Sequence, residues 1–575
     1  MARRIDPRFT QSEGVNVYTG NELLVKGALE AGVALYSSYP GSPVAETLDV
    51  IRANADLFLE LGLEAVVANN EALAAARVNG SQALPLRACA IMKSVGFNVA
   101  LDVFETSNLA GANPGGGAVV MVGDDPHCSS TQTPADSRYK ARSIFMPVVM
   151  PATWQELKDW VELSFRLSAA AELYIAYLIT TAQADGGGTV TVGPNKKPAI
   201  NTLSRFDLDT ARLDLSRRVM IPPASSRAEV HMLEVRLPKV VRTARELGLD
   251  RLIGFEPGRR YPIAFIAGGP NYLYLEDALA ELGLAGRVPV FKPGMIWPMD
   301  PGPVVELARA VETIVVVEEK GPFTEDQVKV ILHDAAARGE LDPAGRPKVI
   351  GKTFPDGAEC FPASRGLSPS QIISTLGRRL AQLFPDLAGR IEGEVRLTQE
   401  IAGYTVQSPA RAATFCAGCP HRDTGNLLMD IIADVSRPEY MAALHGSDRP
   451  QDLVVHGDIG CYSMFSGIWE SRLMHDMSAM GQGLGAAAGL APFVVNKRTV
   501  MIGDSTFFHS GLAGISDLAR HDKDVLVFIL DNDTTAMTGQ HPTPGNDTDL
   551  LGRPAEAQDI GKVVRGIVGP RVPVV

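Results

Sequence analysis

Two apolar runs that end on acidic residues constrain this chain more than any other feature in it. Val500, Met501 and Ile502 lead into Gly503-Asp504-Ser505-Thr506, and residues 524–530 (DVLVFIL) lead into Asp531-Asn532-Asp533-Thr534. Each run reads as a buried strand. Between them, residues 511–521 place Leu512, Ile515, Leu518 and Ala519 at helical spacing. Strand, crossover helix and strand in that order make a parallel pair, and ligands then belong at the carboxyl ends of the strands. Both acidic segments fall there, with Asn532 28 residues after Asp504. Magnesium takes near-octahedral oxygen from one or two carboxylates plus phosphate. Asp504 offers a carboxylate, Asn532 an amide oxygen and Thr534 a main-chain carbonyl. Gly503 allows close approach to phosphates, and Ser505 and Thr506 can donate to them. A lone Gly-Asp would be an ordinary strand-end turn; with the second half at this spacing, the expectation is a magnesium diphosphate clamp, and the cofactor it points to is thiamine diphosphate.

The 575 residues exceed what one core can organise, so several domains are expected. A hydrophobic share of 45% with 21% charged residues is that of an ordinary globular protein. The net charge of −12 argues against nucleic acid as a partner. No apolar stretch is long enough for a membrane span and the amino terminus lacks an apolar signal core, so no membrane partner and a cytoplasmic location are expected. Six cysteines in this length make no disulfide framework. Cys416, Cys419 and Cys461 stand near the clamp segment and suggest metal or redox work.

Along the chain, helix-like and strand-like runs alternate at 20–31, 34–38, 45–53, 71–82, 118–122 and 154–170, the pattern of a doubly wound α/β domain. The triplet Gly186-Gly187-Gly188 and the polar segment to Pro198 read as a linker. Residues 220–250 read as a helical, basic arm. A second α/β unit is expected from strand-like 263–268, 288–292 and 314–318 with helices over 273–282 and 303–310. A third runs from about residue 412.

The order and spacing of several strings carry a family resemblance. They are YPGSP at 39, NNEALAAA at 69, MKSVGFNVALD at 92, GDDPHCSSTQTPADSRY at 123, VVVEEKGPF at 315, FCAGCPHR at 415, GDIGCYSM at 457, GDSTFFHSG at 503 and LDNDTTAMTG at 530. Together they resemble the 2-oxoacid:ferredoxin oxidoreductases, and within them the alpha subunits of the indolepyruvate enzymes. The resemblance implies a pyrimidine-binding-type thiamine domain at 15–185, a connecting arm at 186–255, a transketolase C-terminal-like domain at 256–385 and a diphosphate- and magnesium-binding domain at 400–575. It also implies that Gly457, Asp458, Gly460 and Cys461 join Gly503, Asp504, Ser505, Thr506, Asn532 and Thr534 around the cofactor.

Thiamine chemistry needs a carboxyl group that shares a proton with the cofactor's pyrimidine ring. Glu71 matches the family's activating glutamate; read without the resemblance, it is an acid in a first helical turn. Ser42, in the YPGSP loop, and Lys93 are candidates for the substrate carboxylate, although the loop also reads as a plain Pro/Gly turn. Many relatives have histidine where Ser94 stands, which leaves the oxo acid open. Arg138 matches a family loop or simply holds that loop by a salt bridge. Because Glu71 and Asp504 belong to different domains, a dimer of this chain is expected.

Cys416, Cys419 and Cys461 match three thiolate ligands of a [4Fe–4S] cluster, for which four are needed. No cysteine follows Cys461. Zinc held by these residues with His421 is an alternative, as is no metal at all. Relatives carry a carboxy-terminal ferredoxin-like segment absent before Val575, so either the chain is shortened or electrons pass through a partner. Met474, Met477 and Met480 at helical spacing read as core or as a prop for the cofactor, and residues 481–489 read as a tightly packed helix. His456, His509 and His541 read as ordinary hydrogen-bonded histidines.

The expected activity is oxidative decarboxylation of an aryl 2-oxo acid such as indolepyruvate, with coenzyme A as acyl acceptor, ferredoxin or another electron acceptor, and a smaller beta subunit. A non-oxidative thiamine decarboxylase and a catalytically silent scaffold subunit are the alternatives.

Overall fold

A computed structural model describes residues 4–404, 414–468, 473–477 and 479–575; the expected start of the third unit near residue 412 lies outside them. The chain divides into two compact units, Met1–Val406 and Gln407–Val575.

The first unit contains eight strands of an amino-terminal half: β1 (Val15–Thr19), β2 (Leu35–Ser38), β3 (Glu64–Val67), β4 (Arg87–Lys93), β5 (Gly117–Asp124), β6 (Val148–Val149), β7 (Ile175–Thr180) and β8 (Gly187–Thr191). The second half adds β9 (Arg251–Ile253), β10 (Ala264–Ile266), β11 (Val290–Lys292), β12 (Met295–Trp297), β13 (Thr313–Val316) and β14 (Lys348–Ile350). The main sheet has the order β12-β6-β7-β5-β4-β2-β3, parallel except for β12. All eight residues of β5 and all six of β7 are buried, as continuous Val/Ile-rich runs must be when helices cover both faces. A second sheet, β14-β13-β10-β11-β9, is parallel except for β9. Since β12 leaves that half to pair with β6, the two halves share a sheet.

The expected helices are present as Gly20–Glu30, Glu46–Ala53, Glu71–Ser81, Trp154–Ala171, Pro270–Glu281 and Pro301–Ala308. The glycine triplet differs from its reading as a linker, because Gly187–Thr191 is a strand antiparallel to β1. The reason is close packing: a methyl on Gly187 would lie 2.9 Å from Thr19 Cα, and one on Gly188 would lie 2.7 Å from Trp154 Nε1. These glycines make a tight seam rather than a loose tether.

The second unit holds a four-stranded sheet, β16-β15-β17-β18, of β15 (Val454–Gly457), β16 (Asp476–Met477), β17 (Arg498–Gly503) and β18 (Val525–Leu530), all parallel. The helix Leu512–Arg520 crosses between β17 and β18 as expected. β17 is buried throughout, but β18 is only half-buried, because it is the edge strand of its sheet. Met477 also departs from a core reading: it lies in β16 and is 44% exposed. Among the described residues, no helix is long and apolar enough to cross a membrane.

Candidate functional site

In the first unit the chain runs from β2 outward to β3 and then returns to β4 on the other side of β2, so the strand order reverses between β2 and β4. In open parallel sheets a crevice opens there, past the carboxyl ends. Three expected residues meet at it. Glu71 opens the helix that follows β3; Asn70 caps that helix by accepting from the Leu73 amide at 2.9 Å, and Glu71 is 4% exposed. Lys93 ends β4, and Ser42 lies in the loop after β2. A methyl on Gly96 would lie 2.6 Å from Glu71 Cγ and 2.8 Å from Cδ, while one on Gly41 would lie 2.8 Å from Lys93 Cγ. The glutamate thus lies over Gly96, and the YPGSP loop lies along the lysine stem. Burial pushes the Lys93 ammonium below its ordinary pKa, and the charge of Glu71 opposes that shift. Beside them the Ser94 hydroxyl is buried without a hydrogen-bond partner among the described residues.

Arg138 does the structural work the salt-bridge reading assigned to it. Buried, it pairs with Asp136 at 2.7 Å and Glu318 at 2.8 Å, and donates to the Glu319 carbonyl at 2.8 Å, tying the loop after β5 to the segment after β13.

In the second unit, three parallel strands deliver Asp458, Asp504 and Asn532 from their carboxyl ends. The Thr534 amide donates to Asp504 Oδ2 at 2.9 Å and lies 3.3 Å from Asn532 Oδ1, so both side-chain oxygens converge on one point. Burial pushes the Asp504 carboxyl up to about 6, with Asp531 and Asp533 adding repulsion against the Ser505 and Thr534 amides. A buried carboxylate facing other acids suits a divalent cation, and a carboxylate with an amide oxygen beside it is the kind of oxygen donor set magnesium takes.

The sequence reading overlooked Tyr462. Its hydroxyl donates to Asp458 and lies 3.2 Å from Thr506 Oγ1. Its ring explains two glycines: a methyl on Gly460 would lie 2.8 Å from Tyr462 Cζ, and one on Gly503 would lie 3.1 Å from Cε1. Gly457 packs similarly against Met474, whose Sδ lies 2.8 Å from such a methyl. Asp458, 0% exposed, is pushed up to about 7 by burial, opposed by its bonds from Tyr462 and the Gly481 amide. The only signal available beforehand was the tyrosine's place in the GDIGCY string.

Cys416 is exposed, whereas Cys419 and Cys461 are half-buried, and none of the three forms a disulfide among the described residues. Burial raises the Cys461 thiol pKa, with Cys419, Cys416 and Asp504 adding repulsion, so the three sulfurs lie within electrostatic reach of one another. Among the described residues, no group of three His, Cys, Asp or Glu side chains is arranged to hold a metal ion. His421, the zinc alternative's fourth ligand, stacks edge-on with Phe415 at 5.7 Å and Tyr462 at 6.5 Å. His456 is buried and bonds Asp476 through Nδ1 at 2.7 Å.

Two sequence families match the chain: an Indolepyruvate oxidoreductase domain over residues 255–396, and the Thiamine pyrophosphate enzyme, C-terminal TPP binding domain, over residues 458–572. Indolepyruvate oxidoreductase subunit IorA of Methanothermobacter thermautotrophicus is 30% identical over 554 residues, covering 95% of this chain and 79% of that protein. Its counterpart in Pyrococcus abyssi is 29% identical over 545 residues, covering 92% and 76%. Among solved structures, a 2-oxoglutarate:ferredoxin oxidoreductase from Magnetococcus marinus aligns with a TM-score of 0.45 and 14% identity, over 64% of this chain and 65% of that one. With relatives matched over nearly all of its length and the acid-bearing strand ends inside a thiamine pyrophosphate family, the chain belongs to the indolepyruvate oxidoreductase subunit IorA family and is a thiamine pyrophosphate-dependent oxidoreductase.

Proposed function

We propose that the chain carries out oxidative decarboxylation of an aryl 2-oxo acid of the indolepyruvate type. The oxo acid and coenzyme A become an acyl thioester, carbon dioxide and one proton, and two electrons leave for ferredoxin or another acceptor. The observation that carries this reading is the buried Glu71 beside Lys93 at the strand-order reversal, a carboxyl and a cation in one crevice. Thiamine diphosphate, when bound, supplies the nucleophilic carbon and the electron sink. Glu71 holds the proton that its pyrimidine ring must exchange. Lys93 and Ser42 orient the substrate carboxylate, and burial around them excludes water.

In the second unit, Asp504, Asn532 and the Thr534 carbonyl would hold Mg²⁺, Ser505 and Thr506 with Gly503 would take the diphosphate, and Gly457, Asp458, Gly460 and Cys461 would line the cofactor beside them. Were a [4Fe–4S] cluster bound, Cys416, Cys419 and Cys461 would be its thiolates and the fourth ligand would come from elsewhere. The domain roles are pyrimidine-type at 15–185, completed by the strand Gly187–Thr191, transketolase C-terminal-like at 256–385 and diphosphate-type at 400–575, with the connecting arm between the first two. The working assembly is a dimer of this chain with a smaller beta subunit.

Anaerobic purification with the neighbouring subunit tests the proposal through iron, sulfide and thiamine assays and a panel of 2-oxo acids. Acyl thioester with reduced acceptor, fastest with aryl oxo acids, is the expected product. Aldehyde without reduced acceptor would instead make it a non-oxidative decarboxylase.

A further inference from the structure

One helix of the first unit is irregular in a way that the reaction does not explain. Ala224–His231 continues into Leu237–Glu246 through a single widened turn, Met232–Arg236, with π-type bonding. Such bulges recur at functional sites. This one ends on Arg236, which is 4% exposed. Its terminal nitrogens donate to the carbonyls of Asn108 at 3.1 Å, Leu109 at 2.8 Å, Glu172 at 3.2 Å and Ala228 at 3.1 Å. They thereby close the carboxyl ends of the helices Leu101–Ala110 and Trp154–Ala171. The remaining nitrogen, Nε, is buried with no partner among the described residues.

Arg236 forms part of the wall of a cavity of about 400 Å³, which is also lined by Arg217, Arg227, His231 and Glu172. Three guanidinium groups therefore face one carboxylate, and Arg217 already engages that carboxylate at 2.7 Å. Arg227 makes no ion pair among the described residues. The Arg236 guanidinium is pushed down to about 10, first by burial and then by repulsion from Arg217, with Glu172 only partly offsetting both. A buried guanidinium beside two more accessible ones is costly, and an anion at the cavity would relieve that cost. Leu109 and Glu172 precede β5 and β7, so the cavity is at the amino edge of the sheet. The eight residues of β5 at about 3.3 Å each put it roughly 25 Å from the crevice of Glu71 and Lys93. It is therefore a separate site and not an extension of the catalytic one.

Guanidinium forks match phosphate oxygens in pairs, and the volume suits a small organic ligand. Met220 and the alanines of Ala224–His231 offer an apolar wall on the same cavity. We propose that this cavity binds a phosphomonoester of nucleotide size, with its phosphate on Arg217 and Arg227, beside the buried charge of Arg236, and its organic face against Met220.

The test uses the full-length chain at low ionic strength, with calorimetric titration of adenosine monophosphate, adenosine and inorganic phosphate. Saturable binding of the nucleotide is expected, weaker binding of phosphate and none of adenosine, with affinity falling as salt rises. Because Arg236 caps two helices, its replacement risks the fold. Arg227→Gln, on the exposed rim, carries the test instead and should weaken nucleotide binding about tenfold or more. Nucleotide binding unchanged by Arg227→Gln, or phosphate bound as tightly as nucleotide, would overturn the proposal. Loss of binding whenever the partner subunit is present would also overturn it, since an acidic group of that subunit would then be the occupant.

Discussion

Replacing Gly96 by alanine is the sharpest test of Glu71, because it touches the carboxyl group without removing it. The added methyl would lie 2.6 Å from Glu71 Cγ and 2.8 Å from Cδ, with Oε1 nearer still. Ordinary carbon contacts begin near about 3.5 Å, so the glutamate side chain must retreat by about 1 Å, and as a unit because three of its atoms are involved. Overpacking of this kind costs about 1–3 kcal/mol of stability, which a unit of this size tolerates. A reacting group displaced by about 1 Å loses on the order of 10²-fold in rate. The expected result is therefore a folded protein with its thiamine diphosphate affinity unchanged and turnover of the reconstituted complex about a hundredfold lower. Glu71→Gln alone should cost about 10²–10⁴-fold. The double variant should be no worse than Glu71→Gln, since both changes act on one group. Acceptor reduction is the assay, with cofactor titration followed by circular dichroism. A Gly96→Ala enzyme within about threefold of the native rate, or losses that multiply in the double variant, would refute the positioning argument.

Three further outcomes follow from the same geometry. Asp504→Ala should weaken diphosphate and Mg²⁺ binding by about tenfold to a hundredfold, measured by titration, while Glu71→Gln leaves both intact. Burial raises the folded-state pKa of Asp458 from 3.8 to about 7, so the folded protein holds that proton more tightly than the unfolded chain does. Its contribution is present at low pH and lost as pH climbs through that window, by up to about 1.4 kcal/mol per pH unit. In urea unfolding of the cofactor-free chain, Asp458→Asn should therefore gain on the native protein between pH 5 and pH 8; parallel pH profiles would contradict this. Gly20→Ala should destabilise the first unit by about 3 kcal/mol or more, because its methyl meets the Gln183 backbone with the carbonyl carbon at 2.7 Å. Gly80→Ala, late in the helix Glu71–Ser81 with no atom within 4 Å of the new methyl, should instead add about 0.5–1 kcal/mol.

What the chain reveals before folding, and what it hides, divides by how far the cause lies along the sequence. The strand ends that carry Asp504 and Asn532 were legible because a continuous apolar run broken by acidic residues is a local event, and the helix between β17 and β18 is written in its own spacing. Glu71 was legible as the first residue of a helix because Asn70 and Leu73 make its cap. Gly96 was not, because its need to be glycine arises from a side chain 25 residues away. Tyr462 was missed for the same reason: it accounts for Gly460 two residues before it but also for Gly503, which only the β15–β17 pairing brings near. The glycine triplet was misread because three glycines in a row suit a flexible tether and a seam against Thr19 and Trp154 equally well. The half-burial of β18 depends on where its sheet stops, which no window of residues contains. A glycine beside a catalytic string is thus ambiguous until the fold names what it touches. At Gly503 that neighbour is Tyr462, bonded to Asp458 and to Thr506, which the diphosphate is proposed to use. The glycines of this segment therefore make room first for the protein's own ring, and the hydroxyl of that ring stands among the groups proposed to hold phosphate oxygens.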